Sequence, residues 1–318
     1  MTHRINKLAL AGATLAAALA APPSQAASIA YRSVTIDGVA IAYRETGRAD
    51  QPAVLLLHGV PSSSRMYDGL MRKLGDRYHL IAPDYPGFGN SAAPAPADFR
   101  YTFDNLSKVM QKFTDVVGLR RYTLLMQDYG APVGMRMAAD RPCAILATIF
   151  QNGNVYEDGL GPVWAKRKPF WTDRAAHEAE VRAGHLALPG IRARHIGTDP
   201  NIEAYDPDLW MDEYAFLNRP GNAAIQSELI YDYQHNLAAY PAWQQWLRAR
   251  QLPALVMWGK HDLAFTVPGA EAFKRDLPKA QVHTLDAGHF AMDTKLDEIA
   301  ALTDRFLQAN QAAAPACD

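Results

Sequence analysis

Apolar and polar residues alternate over positions 31–36 and again over 39–44, with Asp37-Gly38 between them. That is the signature of a β-hairpin closed by a type I′ turn. Beyond it the alternation gives way to short unbroken apolar runs at 53–57, 78–82, 122–126 and 145–150. Helical spacing of apolar residues occupies the intervals, over 63–74, over 103–117 with Asp104 in the first turn, and over 133–139. Strands this apolar, alternating with helices, predict right-handed crossovers and a mostly parallel α/β sheet covered by helices on both faces. Between 152 and 241 the alternation stops, and the chain turns helix-like and rich in Trp and Tyr. An inserted helical cap is expected there. The sheet pattern returns at 254–258 and 282–285, followed by an amphipathic closing helix near 297–307. The expected organisation is therefore a core in two parts, 27–151 and 242–310, with the cap 152–241 between them and a tail at 311–318.

The first 26 residues do not fit this pattern. His3, Arg4 and Lys7 precede an apolar Ala/Leu run over 8–21, and Ser24-Gln25-Ala26 offers small residues for cleavage. This reads as a signal peptide, the run being shorter than the ~20 residues that span a bilayer. A periplasmic or secreted protein without stable membrane association after cleavage is expected. The 318 residues are 49% hydrophobic and 20% charged, with a formal net charge of −1. That composition fits a globular core and excludes a basic field for nucleic acid, which leaves a small apolar molecule as the expected partner. Oligomeric state is left open. Cys143 and Cys317 are the two cysteines, too few for a disulfide framework, and two free thiols are expected. No Cys/His spacing suits a metal, so neither a metal nor an organic cofactor is expected.

In parallel sheets, reactive groups gather on loops at the carboxyl ends of strands. Gln127-Asp128-Tyr129-Gly130 follows the run 122–126 and precedes a helix, as a strand-to-helix elbow requires. The residue at its centre is Asp rather than Ser. A carboxylate is ionised at neutral pH and needs no base to activate it. Attack on an ester carbonyl would give a high-energy anhydride, whereas attack on a saturated carbon bearing a halide or a strained epoxide oxygen gives an ordinary ester. Alkyl transfer is therefore the chemistry expected of Asp128. His289, after the run 282–285, would draw a proton from the water that hydrolyses the ester, and Asp262, after the run 254–258, would fix the histidine tautomer. The chain order nucleophile, acid, histidine fits such a triad. Backbone N–H groups of Val60 and Tyr129 would hold the oxyanion. His58 and Asp84 read as loop-shaping residues, and Arg136 as facing solvent or an acidic neighbour.

These segments resemble the α/β-hydrolase superfamily, in its Asp-nucleophile branch of epoxide hydrolases and haloalkane dehalogenases, over residues 31–307. The carriers are Leu57-His58-Gly59-Val60-Pro61, the stretch from Ala82 through Asp84, Gly87 and Gly89 to Ser91, Gln127-Asp128-Tyr129-Gly130, Gly259-Lys260-His261-Asp262 and Gly288-His289-Phe290. The resemblance implies an α/β-hydrolase fold and one of two activities. Haloalkane dehalogenases of this kind place Trp after the nucleophile and often Asn after the first His-Gly; here stand Tyr129 and Val60, so a cap Trp such as Trp164, Trp171 or Trp210 would have to hold the halide. Fluoroacetate dehalogenases carry Arg where this chain has Tyr129 and Pro132. Epoxide hydrolases protonate the opening ring from cap tyrosines, for which Tyr214, Tyr231 and Tyr233 are the candidates, with Trp164 lining the substrate. Opening of an epoxide to a vicinal diol is the leading expectation. Halide release is the alternative, and a ligand-binding homologue without turnover is a third.

Overall fold

The structure, a computed structural model, describes Met1 and residues 27–310. The expected signal peptide, apart from Met1, and the tail at 311–318 lie outside the described residues. Strands β1 (Ala30–Ile36) and β2 (Val39–Thr46) form the opening hairpin, with Ile36 paired to Val39. Both turn residues have positive φ, 49° at Asp37 and 82° at Gly38, as a type I′ turn demands. After β3 (Ala53–Leu57) come α1 (Asp68–Leu74), β4 (His79–Pro83), α2 (Phe103–Val116), β5 (Tyr122–Gln127), α3 (Gly130–Asp140) and β6 (Ile145–Gln151). Six helices follow: α4 (Val163–Thr172), α5 (Arg174–Leu186), α6 (Leu188–Ile196), α7 (Asp208–Leu217), α8 (Asn222–Asp232) and α9 (Gln234–Arg250). The chain then completes the sheet with β7 (Ala254–Gly259), α10 (Val267–Asp276), β8 (Gln281–Leu285) and α11 (Met292–Asn310).

One eight-stranded sheet results, in the order β1-β2-β4-β3-β5-β6-β7-β8. β1, β2 and β4 are joined antiparallel, and every pair from β4 to β8 is parallel. The apolar runs explain the layering. In β3, Leu55 and Leu57 join one core with α2, α3, α9 and α10, while Val54 and Leu56 join a second with α1 and α11. Successive side chains of a strand point to opposite faces, so a strand buried on both must be apolar throughout. A third, smaller core of Ile191, Ile196, Tyr205, Trp210 and Leu217 belongs to the helices between β6 and β7.

Two local expectations are corrected. The helical stretch before β7 does not stop at 241, because Pro241 lies inside α9 and buried Tyr240, Trp243 and Leu247 carry the helix on to Arg250. Cys143 is not a free thiol but is disulfide-bonded; the other cysteine of the sequence, Cys317, lies outside the described residues. No helix among the described residues is long and apolar enough to cross a membrane.

Candidate active site

Three loops at the carboxyl edge of the sheet converge. Asp128 sits between β5 and α3 with φ 46°, a left-handed conformation that a residue with a Cβ adopts at a cost. Two glycines make this elbow feasible. A Cβ on Gly130 would lie 2.1 Å from the Leu57 carbonyl oxygen, and one on Gly59 would lie 2.3 Å from the Asp128 Cβ. The loop after β3 therefore packs directly on the elbow, and the Val60 amide donates to Asp128 Oδ1 at 2.9 Å. The other oxygen, Oδ2, lies 3.4 Å from His289 Nε2. His289 Nδ1 is 2.6 Å from Asp262 Oδ2, and the other Asp262 oxygen accepts from the Ala264 amide at 2.7 Å. All three side chains are buried.

Burial opposes charge here, yet neighbours overcome it. Burial raises the Asp128 carboxyl, but hydrogen bonding and the charge of His289, with the Val60 and Tyr129 amides, bring it below its ordinary value. Burial would lower His289; Asp262 first, and then Asp128, lift it to about 9. At neutral pH the resting site thus holds the Asp128 carboxylate against an imidazolium.

The structure brings together Asp128, His289, Asp262, the Val60 amide and Tyr129. Of the three cap tyrosines, only Tyr233 joins them. Its buried hydroxyl lies beside that of Tyr240 without a hydrogen bond of normal geometry, its ring is 5.9 Å from Tyr129, and the Asp128 charge acts on it. Tyr214 points to solvent on α7, and Tyr231 lies against Phe170 (5.6 Å) and the Arg174 guanidinium (5.0 Å). Helix geometry explains the split: Tyr231 and Tyr233 are two residues apart on a helical backbone and face opposite ways. Trp164 does reach the site, 4.5 Å from Tyr233, but its indole N–H donates to the Ala264 carbonyl at 2.8 Å. That of Trp171 donates to Ile230 at 2.9 Å. His58, also buried, is a loop residue, its Nδ1–H donating to the Gly59 carbonyl and its Nε2 accepting from the Tyr85 amide. Asp84 likewise accepts from the Ser64 and Asn90 amides, and Arg136 meets the acidic Asp104.

Two residues that the sequence reading passed over complete the site. Asn152, at the end of β6 with φ 44°, donates to Asp262 Oδ2 at 2.8 Å and clasps the backbone of Gly259. The dipeptide Asn152-Gly153 at a strand end was its only signal, since Asn tolerates left-handed backbone. Gln127, just before the elbow, places its side-chain nitrogen 2.9 Å from His289 Nε2. Nothing in its spacing distinguishes it from any other residue of a buried strand.

An acidic strand-to-helix elbow after β5, an acid after β7 and a histidine after β8, converging at the carboxyl edge of such a sheet, define an α/β-hydrolase. The chain belongs to the alpha/beta hydrolase fold family, whose model matches residues 52–296. It is 39% identical over 269 residues to an uncharacterized hydrolase of Saccharomyces cerevisiae, covering 83% of this chain and 92% of the relative. It is 33% identical over 306 residues to a haloalkane dehalogenase of Bradyrhizobium diazoefficiens, covering 87% of this chain and 93% of that one. Among solved structures it superposes on haloalkane dehalogenase DbeA of Bradyrhizobium elkani with a TM-score of 0.75, at 24% identity, covering 90% of this chain and 100% of the other. A candidate epoxide hydrolase from Pseudomonas aeruginosa gives 0.73 at 20% identity, covering 90% and 98%. The protein is a hydrolase of this family, similar to both groups of enzymes.

Proposed function

We propose that the protein hydrolyses an epoxide to a vicinal diol through an ester on Asp128. The approach of Asp128 Oδ2 to His289, with Oδ1 held by the Val60 amide, carries this reading. Oδ2 attacks a ring carbon, the C–O bond breaks, and a proton from Tyr233 neutralises the departing alkoxide. Esterification removes one of the charges that held the His289 proton, which passes to solvent; the neutral imidazole then takes a proton from water, and the hydroxide adds to Cγ of the ester. The resulting oxyanion on Oδ1 faces the Val60 and Tyr129 amides, which strengthens their hydrogen bonds. Collapse breaks the Cγ–Oδ2 bond, so the diol leaves with the former Oδ2 and the proton held by His289; the Asp128 carboxyl passes its proton to His289, and Tyr233 recovers its own from solvent. The balance is epoxide plus water to diol. The Tyr233 hydroxyl, beside that of Tyr240 and within reach of the Asp128 charge, supports ring opening, whereas the engaged indoles of Trp164 and Trp171 offer a halide little. The named dehalogenase relatives favour halide release by the same ester, as the second reading.

A single turnover of styrene oxide in water enriched in ¹⁸O is expected to give unlabelled diol and to leave the label in the Asp128 peptide. His289→Gln should accumulate the alkylated peptide. Label in the diol after one turnover, with none in the protein, would mean direct attack by water and would end the proposal. Bromide release from 1-bromobutane with no diol from styrene oxide would select the second reading.

A further inference from the structure

Beside His289 and Asp262 opens a cavity of about 400 Å³, with Val163, Val181 and Leu263 on its wall. Its walls also carry two guanidinium groups, Arg167 from α4 and Arg194 from α6. Lys166 and Glu180 stand at its exposed rim. Arg167 lies 4.7 Å over the Trp164 ring. Arg194 donates through Nη2 to His185 Nδ1, while its Nη1 is buried with no hydrogen-bond partner among the described residues. Neither arginine has a carboxylate in ion-pair contact among the described residues. Asp128 and Glu213, the acids whose charges reach Arg194, are engaged with His289 and His195. Burial first, and then the Arg167 charge, pull Arg194 down to about 10. Two like charges on the walls of one cavity, one with an orphaned buried donor, are a standing destabilisation that folding alone does not explain.

We infer that Arg194 and Arg167 bind a carboxylate carried by the substrate, so that the electrophile delivered to Asp128 is an acid with an apolar body. The inference rests on the epoxide-opening reading and names its substrate class. Paired guanidinium forks suit a planar carboxylate, and Val163, Val181 and Leu263 suit an apolar stem. The two positive charges also offset the repulsion between an anionic substrate and the Asp128 carboxylate, whose field reaches Arg194.

Binding and turnover test this separately. Calorimetry with 3-phenylpropanoate and its neutral amide is expected to favour the acid by about tenfold or more, the worth of a charge-assisted hydrogen bond. Arg194→Gln should abolish that preference while raising Tm, because it removes an uncompensated buried charge; a merely structural arginine would lower Tm instead. In turnover, 3-phenylglycidate should exceed styrene oxide in kcat/KM, and Arg194→Gln should reduce that ratio by about 10–100-fold. Equal binding of acid and amide would overturn the inference. So would displacement of the acid by sodium bromide at equal concentration, which would mark a halide site. Turnover of styrene oxide without an acid preference removes the carboxylate site and leaves the epoxide reading intact. Tight binding of the acid with no epoxide turned over does the reverse.

Discussion

At the scale of single residues, the proposed chemistry depends on one proton changing its allegiance. His289 at about 9 is an imidazolium in the resting protein and cannot serve as a base. Esterification of Asp128 removes one of the two negative charges that hold the proton, so the imidazole becomes available only after the alkyl group has been transferred. Gln127 accommodates both states. Its amide donates to the neutral ring at 2.9 Å, and its oxygen, buried without a partner, becomes the acceptor when the amide turns by about 180° toward an imidazolium. Asn152 keeps Asp262 in place throughout. Replacing Asp128 by Asn imitates the uncharged ester, and His289 followed by NMR titration should then titrate at least about one unit lower than in the wild type. Identical titration in the two proteins would show that Asp128 does not hold the proton.

At the scale of elements, the elbow converts an apolar strand and two glycines into a strained, buried carboxylate at the carboxyl edge of the sheet. Gly130→Ala would drive a Cβ to 2.1 Å from the Leu57 carbonyl, separating β5 from β3, and should cost on the order of 3 kcal/mol or more in urea denaturation. Gly184→Ala, inside α5 with nothing within 4 Å, should instead gain about 0.5–1 kcal/mol. Equal midpoints for the two variants would show that the loop after β3 yields to the elbow. The same contrast explains what the sequence revealed. Strands β3, β5, β6 and β7 are legible because burial on both faces forces unbroken apolar runs, and Asp128, Asp262 and His289 are legible because they follow such runs. The helices between β6 and β7 bury one stripe each, and Pro169 and Pro241 sit within α4 and α9, so proline was a poor guide to their ends. Which tyrosine faces Asp128 depends on helix phase, which a list of aromatic residues does not contain. Arg167 and Arg194 carry no signal in the sequence because only folding brings α4 and α6 to one cavity.

At the scale of the whole molecule, the helices between β6 and β7 are fastened to the sheet-bearing part through a buried histidine. His195 of α6 lies 2.7 Å from Glu213 of α7 through Nε2 and 2.7 Å from Asp293 of α11 through Nδ1, with its ring stacked 4.5 Å from Phe290. Burial lowers its proton affinity, but Glu213 and then Asp293 raise it to about 10, against an ordinary value of 6.5. A histidine raised on folding stabilises fully below its unfolded value, and that contribution is lost as pH climbs through the folded one. His289, raised to about 9, adds to the same alkaline limb, whereas Asp128, lowered from 3.8, adds stability that is lost only as pH falls below that value. The wild-type urea midpoint should therefore fall between pH 7 and 9.5, before the tyrosines titrate. Since the clasp joins α6 and α7 to the segment that carries His289, the cap should loosen as the histidine discharges. His195→Gln should cost about 3–5 kcal/mol at pH 7, because it leaves two buried carboxylates without their cation, and should flatten the remaining alkaline decline. A wild-type midpoint constant across that interval would mean that the histidine is neutral in its carboxylate clasp and that packing alone holds the cap.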